Sequence, residues 1–262
     1  MSERLTGTAL LEALEQGRVR VAERGADGAW TVHAWVKEEI LAVFRASPLV
    51  ESSAGSLTFV DKRDIGPRSF SLADKVRVVP GGSSVRRGAY LAPGVIVMPP
   101  AYVNVGAFVD EGSMVDSHAL VGSCAQIGKR VHLSAACQIG GVLEPAGARP
   151  VIIEDDAFVG GNTGVYEGVL VRRGAVLASG VILSASTVVY DVPNRRELRG
   201  SREAPLEIPE NAVVVPGTRA IARDGVADSW AMLHHVQIAC AVIVKYRDAR
   251  TDRATALEEA LR

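Results

Sequence analysis

The sequence predicts a mainly β protein whose central part is a left-handed parallel β-helix of hexapeptide repeats. Three observations predict it: an apolar residue that recurs every six positions, an excess of valine and a shortage of aromatic residues. Of the 262 residues, 37 are valine and 23 of these lie in 76–192, whereas aromatic residues make up only 5%. A core with few rings needs a regular way to pack smaller side chains, and an internal repeat provides one.

The repeat runs through the middle of the chain in two stretches. Every sixth residue is Val, Leu or Ile at eleven positions from Val79 to Ile139 and at seven from Ile153 to Val189. Residues two positions earlier are mostly small or β-branched, and residues two apart share one face of a strand. Each hexad is therefore a short strand with one bulky and one small inward residue, and three hexads complete a triangular coil.

Glycines at the ends of the hexads allow the bends between strands, among them Gly88, Gly94, Gly106, Gly112, Gly122, Gly128, Gly174 and Gly180. A flat sandwich of short strands is the alternative fold, but it shows turn signals every 8–12 residues rather than a six-residue period. The left hand comes from known coils of this type, an exception to the usual right-handed crossover. The periodicity itself does not specify the hand.

The segments on either side of the repeat differ from it, which predicts three domains with boundaries at 1–75, 76–192 and 193–262. Residues 1–75 carry helical patterning and an irregular loop over 47–70, and together they form a small helical N-terminal domain. After Tyr190 the repeat stops, and a polar loop is expected up to Pro209. We expect capping strands at 213–216 and 241–245 to cover the strand edges of the coil, and a terminal helix over 251–261.

Composition excludes several classes of protein. The net charge of −1 argues against an electrostatic nucleic-acid binder, and no run of 18 apolar residues indicates a membrane span. The N-terminus does not resemble a signal peptide, and the three cysteines form neither a disulfide framework nor a zinc signature. We therefore expect a reduced, cytoplasmic protein. No GxxxxGK[ST] or GxGxxG loop supports ATP or NAD binding.

The predicted fold is compatible with several functions. Most hexapeptide β-helices are trimers that transfer acyl groups from coenzyme A, and a minority are zinc-dependent carbonic anhydrases. Only His118 and His132 lie in the coils, so a three-histidine zinc site is not indicated and no metal is expected. Regular Thr or Ser ladders, which are typical of ice-binding solenoids, are missing.

Segments more specific than the repeat resemble the tetrahydrodipicolinate N-succinyltransferases of lysine and diaminopimelate biosynthesis. They are Arg77-Val-Val-Pro80, Ala101-Tyr-Val-Asn-Val-Gly106, Val109-Asp-Glu-Gly-Ser-Met-Val-Asp116, Val121-Gly-Ser-Cys-Ala-Gln-Ile-Gly128 and Ile139-Gly-Gly-Val-Leu-Glu-Pro145. The resemblance implies succinyl transfer from succinyl-CoA to the amine of the ring-opened dicarboxylate. It also implies a homotrimer with sites between subunits.

The resemblance assigns substrate binding to Arg77 and Asp116. A guanidinium can hold a carboxylate in bidentate fashion, and a carboxylate can orient the substrate ammonium and accept its proton. His118 is a further substrate-binding candidate, at a position where the family often has tryptophan. Two roles are open for it: a base in the reaction, or a side chain that only fills the space of the tryptophan. Without the resemblance, Asp116 is equally typical of a turn at a coil corner and Arg77 of a solvated surface charge.

One departure leaves the second carboxylate of the site open. Better-known family members carry Ala-Arg-Ser-Glu after Phe-Ile-Gly, whereas this chain has Gly161-Asn-Thr-Gly164. Glu167 lies three residues further on and is the candidate for the second catalytic carboxylate beside Asp116. The departure keeps two alternatives open, an N-acetyltransferase that uses acetyl-CoA and a non-catalytic trimeric solenoid.

Coenzyme A is expected along an edge of the late coils. In this superfamily the pantetheine arm bonds to backbone amides of small corner residues. The candidates here are Ala178, Ser179, Gly180, Ser184 and Ala185. Basic residues near the cap, Arg219 or Lys245, are candidates for the phosphates.

Overall fold

The computed structural model describes residues 4–201, 204–223 and 226–247. The terminal helix expected over 251–261 lies outside the described residues.

The N-terminal segment contains two helices and two antiparallel hairpins. Helix α1 (Gly7–Glu15) and helix α2 (Ala34–Ala46) pack on each other and on the coil through leucines, valines and Ile40. The first hairpin joins β1 (Ala22–Arg24) to β2 (Trp30–Val32). Within the described residues no helix is long and apolar enough to cross a bilayer.

The expectation of an irregular loop over 47–70 is wrong. Strands β3 (Leu49–Ala54) and β4 (Leu57–Lys62) form a second hairpin there, followed by 3₁₀ turns at Arg63–Ile65 and Leu72–Asp74. Both strands are largely exposed, so inward and outward positions do not alternate in hydrophobicity. Without a buried face the pairing leaves little periodic signal in the sequence.

The central segment is a coil of parallel strands arranged in three sheets, here called faces 1, 2 and 3 in the order in which the chain visits them. Face 1 contains β5 (Arg77–Val78), β8 (Ile96–Val97), β11 (Met114–Val115), β14 (His132–Leu133), β17 (Phe158–Val159), β20 (Val176–Leu177) and β25 (Ala212–Ala220). Face 2 contains β6 (Ser84–Val85), β9 (Tyr102–Val103), β12 (Leu120–Val121), β15 (Gln138–Ile139), β18 (Gly164–Val165) and β21 (Ile182–Leu183). Face 3 contains β7 (Tyr90–Leu91), β10 (Phe108–Val109), β13 (Gln126–Ile127), β16 (Ile152–Ile153), β19 (Leu170–Val171) and β24 (Glu207–Ile208). The parallel β-helix architecture is therefore confirmed.

The repeat residues face inward as expected. Of the eighteen positions, all but Val79 are buried, and the alanines two residues before them are buried with them. Each buried Val, Leu or Ile side chain contributes about 1.5–3 kcal/mol relative to exposure. The coil is thus stabilised by stacked layers of aliphatic side chains.

Not every corner glycine serves a bend. Gly88 has a positive φ of 77°, but Gly122 and Gly128 do not. At Gly122 a Cβ atom would clash with the backbone of Gly141 on the next coil, and at Gly128 with Asp155. Glycine at these two positions allows the coils to approach closely.

Two loops leave the coil, and both leave at the corner between faces 2 and 3. Strand partners are normally 18 residues apart, as for Phe108 and Gln126. Residues 140–151 separate β15 from β16, and residues 184–206 separate β21 from β24. The expectation that the coil ends at Tyr190 is wrong, because β24 and β25 continue faces 3 and 1 beyond the second loop.

The cap consists of strands that extend face 1. The expected strands are confirmed as β25 and β28 (Gln237–Tyr246), which pair antiparallel. The polar stretch before Pro209 is not a simple loop, because β22 (Val189–Asp191) pairs with β23 (Arg196–Leu198) and with β28. Short elements complete the cap: β26 (Ala222–Arg223), β27 (Val226–Ala227) and α3 (Ser229–Leu233).

A buried carboxylate holds the cap together. The fully buried Asp191 side chain accepts hydrogen bonds from Asn194 Nδ2 (3.0 Å), Arg196 Nε (2.8 Å) and Tyr246 Oη (2.8 Å). Burial alone raises the pKa of Asp191, but these hydrogen bonds outweigh it and hold the pKa below its usual range.

We expect Asp191→Asn to lower the free energy of unfolding by about 2–3 kcal/mol at pH 7, because it removes charge-assisted hydrogen bonds. Since the folded-state pKa is lowered, the contribution is present above the unfolded-state pKa of about 4 and is lost as pH falls below it. Denaturant titrations at pH 7 and at pH 3 measure both effects. The exposed Glu197→Gln is the control and should change stability by under about 0.5 kcal/mol. An Asp191→Asn variant with unchanged stability at pH 7 would contradict the prediction.

Candidate functional site

Asp116 and His132 form a carboxylate–imidazole pair on face 1. Asp116 directly follows β11, and its Oδ1 accepts the N–H of Ser117 at 2.7 Å. Its Oδ2 lies 4.0 Å from Nε2 of His132, whose ring stacks 5.1 Å from Phe158 on the next coil. Both side chains are about 30% exposed, so a ligand can reach the pair.

Sequence reasoning noted His132 only as one of two histidines in the coils. The signal in the sequence that places His132 beside Asp116 is the length of one coil, which is 18 residues from Met114 to His132. His132 is an outward strand residue directly opposite Met114 in the next coil, and Asp116 follows Met114 by two positions. Residues 16 apart in the chain are therefore neighbours on this face.

Arg77 lies on the same face as this pair. It is exposed at the start of β5, opposite Ile96, which in turn pairs with Met114. Two strand spacings of about 4.8 Å place its backbone roughly 10 Å from β11. Face 1 thus presents a cation at a distance from a carboxylate that an extended dicarboxylate with an amine could span.

His118 does not point into this group. It is exposed at the corner after face 1, with a positive φ of 61°, and its N–H donates to the Pro100 carbonyl at 2.5 Å. It lines a shallow pocket of about 400 Å³ on face 2 together with Tyr102 and Gln138.

Glu167 lies at a different corner from Asp116. It follows β18, between faces 2 and 3, and its Oε2 accepts the N–H of Ala185 at 2.9 Å. Asp116 precedes β12 of face 2, and β12 is joined to β18 through β15. The two carboxylates are therefore at opposite ends of face 2 and two coils apart within one chain.

The expected coenzyme A residues also fall into separate groups. Ala178, Ser179 and Gly180 form the corner after β20, on the edge that carries Asp116 but three coils later. Ser184 and Ala185 lie at the other end of face 2, beside Glu167.

Most of the expected backbone donors already have partners within the chain. The N–H of Ala178 donates to Val214, that of Gly180 to Gly161 and that of Ser184 to Thr187 Oγ1. Lys245 pairs with Val213 at the start of β25, away from the corner that Ala178 begins, and Arg219 lies further along the same ribbon opposite Ile238.

A cavity of about 960 Å³ lies at the corner between faces 2 and 3 and is called here the corner cavity. Its walls come from both loops and from the first hairpin. The lining includes Trp30, Val32, Glu144, Arg149, Tyr166, Glu167, Ala185, Ser201 and Glu207. Sequence reasoning missed this cavity because residues from distant parts of the chain form it, with no local motif.

Ion pairs fix one wall of the corner cavity. Glu207 accepts hydrogen bonds from Arg149 (2.5 Å) and Arg172 (2.7 Å). Partial burial alone raises the pKa of Glu207, but the two guanidinium groups lower it below its usual range. Arg172 also contacts the buried Glu154, which accepts the indole N–H of Trp30 at 2.9 Å. This chain of contacts joins the hairpin wall to the coil.

A buried lysine holds the loop that carries Arg149. Lys37 of α2 is fully buried, and its Nζ donates to the Ala148 carbonyl at 2.6 Å. Burial lowers the pKa of Lys37, and it raises the pKa of the nearby Cys124 thiol to about 12. Across the described ranges, no three His, Cys, Asp or Glu side chains are grouped so that they could hold a metal ion.

We expect Lys37→Met to release the loop over 140–151, because Ala148 loses its partner. The free energy of unfolding is a poor measure of this effect, because replacing a buried charge by an apolar side chain often leaves that free energy unchanged. Amide hydrogen exchange of 142–149 should accelerate about 10-fold, the equivalent of one lost hydrogen bond. Lys62→Met is the matched control, because Lys62 donates to the Ser47 carbonyl far from this loop. Unchanged exchange in Lys37→Met would show that the loop does not depend on this contact.

The chain resembles one group of known proteins along nearly its whole length. A family model described as the N-terminal part of tetrahydrodipicolinate N-succinyltransferase matches residues 4–46, and one described as the hexapeptide repeat of succinyl-transferase matches 150–185. The 2,3,4,5-tetrahydropyridine-2,6-dicarboxylate N-succinyltransferase of Bradyrhizobium diazoefficiens is 46% identical, covering 97% of this chain and 88% of its own. That of Gluconobacter oxydans is 48% identical, covering 97% and 87%.

A crystal structure from Campylobacter jejuni, described as a 2,3,4,5-tetrahydropyridine-2-carboxylate N-succinyltransferase, is 17% identical. It aligns with a TM-score of 0.45 over 90% of this chain and 61% of its own. The relatives of 46–48% identity confirm the resemblance carried by the segments around Arg77 and Asp116: the chain belongs to the 2,3,4,5-tetrahydropyridine-2,6-dicarboxylate N-succinyltransferase family.

Proposed function

We propose that the protein transfers the succinyl group of succinyl-CoA to the amine of 2-amino-6-oxopimelate, the ring-opened form of tetrahydropyridine-2,6-dicarboxylate. The observation that carries the proposal is the common placement of Arg77, Asp116 and His132 on face 1 of a chain with 46–48% identical relatives of that name. A cation and a carboxylate at this separation match a substrate that has a carboxylate at one end and an ammonium near the other.

The chemistry assigns a task to each side chain. Arg77 binds a substrate carboxylate. Asp116 orients the ammonium and takes its proton, since only the free amine is a nucleophile. His132, 4.0 Å from Asp116, is placed to pass that proton on to solvent. The amine nitrogen then forms a bond to the thioester carbonyl carbon, and the tetrahedral intermediate collapses as the carbon–sulfur bond breaks. The nitrogen loses its second proton to the departing sulfur, so the products are the N-succinyl amide and free CoA.

The separation of Asp116 and Glu167 supports a site shared by two chains. Within one chain these carboxylates are at opposite ends of face 2, so a substrate that contacts both must lie between two subunits. A cyclic trimer repeats one heterologous interface three times and would create three equivalent sites. We therefore propose a homotrimer in which the Asp116 edge of one subunit meets the corner cavity of its neighbour.

The remaining architectural proposals follow from the sequence. We propose that the coil winds left-handed and that an N-terminal domain over 1–75 precedes it, with β24 and β25 completing the coil after the second loop. We also propose that the enzyme works in the cytoplasm. The free, buried state of Cys124, Cys137 and Cys240 supports a reducing compartment.

The donor can be identified by thiol release with succinyl-CoA and acetyl-CoA as alternatives. Because the three cysteines are buried, a thiol-reactive chromophore should report mainly the CoA that is released. We expect a clear preference for succinyl-CoA, and about a 100-fold loss of kcat in Asp116→Asn, typical of a lost general base.

Asp110→Asn is the matched control for Asp116→Asn. Asp110 follows β10 and accepts the N–H of the next residue at 2.8 Å, as Asp116 does, but it lies at the corner between faces 3 and 1. It should retain wild-type turnover. Preference for acetyl-CoA would establish an N-acetyltransferase instead, and no turnover with either donor would favour a non-catalytic solenoid.

Mixed trimers test the shared site. Asp116→Asn and Glu167→Gln subunits with different tags are coexpressed, and trimers that carry both tags are purified. A site that takes Asp116 from one chain and Glu167 from its neighbour is intact at one of the three interfaces of every trimer that carries both tags, so about a third of wild-type activity should return. Two differently tagged Asp116→Asn preparations serve as the control and should stay inactive. Mixed trimers no more active than their parents would contradict a shared site.

A further inference from the structure

Tyr166 covers a bare patch on the outer surface of face 2. Gly164 occupies the outward position of β18, where the neighbouring coils carry the side chains of Gln138 and Ile182. A Cβ atom on Gly164 would overlap the Tyr166 ring and would lie 2.8 Å from its hydroxyl oxygen. A Cβ atom on Gly140 would lie 2.8 Å from the same ring. The ring therefore takes the space that a side chain at 164 would fill.

The backbone holds this ring in place, whereas the described residues give its hydroxyl no hydrogen-bond partner. The N–H of Tyr166 donates to Leu183, and its carbonyl accepts from Val169, so the corner is fixed on both sides. The half-buried side chain lines the corner cavity beside Glu167. Within residues 4–201, 204–223 and 226–247, no side chain or backbone group makes a hydrogen bond with the Tyr166 hydroxyl.

The other strong donor at the cavity wall is already engaged. Arg149 donates to Glu207 and to the carbonyls of Gly168, Pro205 and Leu206. The Tyr166 hydroxyl is thus an uncommitted donor on a side chain that lines the corner cavity together with the acceptor Glu167. A carboxylate oxygen of a ligand suits this position, because an anionic acceptor forms a charge-assisted hydrogen bond with the phenolic O–H.

We propose that Tyr166 is a specificity-determining residue that donates a hydrogen bond to a carboxylate of the acyl acceptor, and that Gly164 is required because only glycine leaves room for the ring. The inference rests on the proposed function, because it takes the acceptor to be a dicarboxylate bound at the corner cavity. It explains why the chain has glycine at 164: a larger residue there would displace the phenol that binds the ligand.

The first test is Tyr166→Phe, which keeps the ring and removes only the hydroxyl. We expect the KM for the acceptor to rise about 10-fold, as for one lost hydrogen bond to a charged group, with the KM for succinyl-CoA and the Tm unchanged. Tyr90→Phe is the matched control. Tyr90 is also half-buried and stacks on the next coil, 4.6 Å from Phe108, but it lies on face 3 outside the corner cavity.

The second test examines the link between the two positions. Gly164→Ala should raise the KM for the acceptor as Tyr166→Phe does, because its methyl group pushes the ring away. The double variant Gly164→Ala/Tyr166→Phe should then be no worse than the worse single variant, which is the non-additivity expected of one shared interaction. Additive effects would show that Gly164 does not act through Tyr166.

A binding measurement separates this inference from the proposed function. Calorimetry with pimelate, a dicarboxylate without the reactive amine, reports carboxylate binding in the absence of turnover. A Kd about 10-fold weaker in Tyr166→Phe supports the inference even if no succinyl transfer is found. Active wild-type enzyme with an unchanged KM for the acceptor and an unchanged Kd for pimelate in Tyr166→Phe would overturn it. Wild-type protein that neither turns over the acceptor nor binds pimelate would overturn both.

Discussion

The structure depends on the closure of each coil around one inward aliphatic residue per strand. Strands of the coil pair through only two residues, for example Met114 and Val115 with His132 and Leu133. So short a ladder is not stable alone, and the stacked Val, Leu and Ile layers hold the coils in register. The outward and corner positions are free of this constraint. The site residues predicted from the sequence occupy those two kinds of position or lie in the cap.

The same constraint determines where the chain can depart from the repeat. An insertion within a strand would break the inward layer, whereas an insertion at a corner leaves it intact. Both long loops leave at the corner between faces 2 and 3, and together with the first hairpin they enclose the corner cavity. Lys37 and Glu154 join the N-terminal segment to these walls, so its folding and the shape of the cavity are coupled.

The sequence predicted the features that repeat and missed those that depend on distant contacts. The inward positions from Val85 to Val189 follow from period six alone, because a coil cannot close without them. The restart of the coil at β24 was missed because the second loop hides the period. The β3–β4 hairpin was missed because it lacks a buried face. The contacts of His132 with Asp116 and of Tyr166 with Gly140 become visible only when residues of neighbouring coils lie side by side.

The exposure of the Asp116–His132 pair gives a physical reason for assembly in the proposed reaction. Asp116 and His132 are each about 30% exposed in one chain, where water screens the charges that must orient and deprotonate an ammonium. Acyl transfer to an amine also requires that water be kept from the thioester, since hydrolysis would waste the donor. Neither face 1 nor the corner cavity of an isolated chain encloses a ligand fully. A neighbouring subunit that covers Asp116 with its Tyr166 and Glu167 would exclude water and supply the missing contacts in one step, so that only an assembled enzyme is competent.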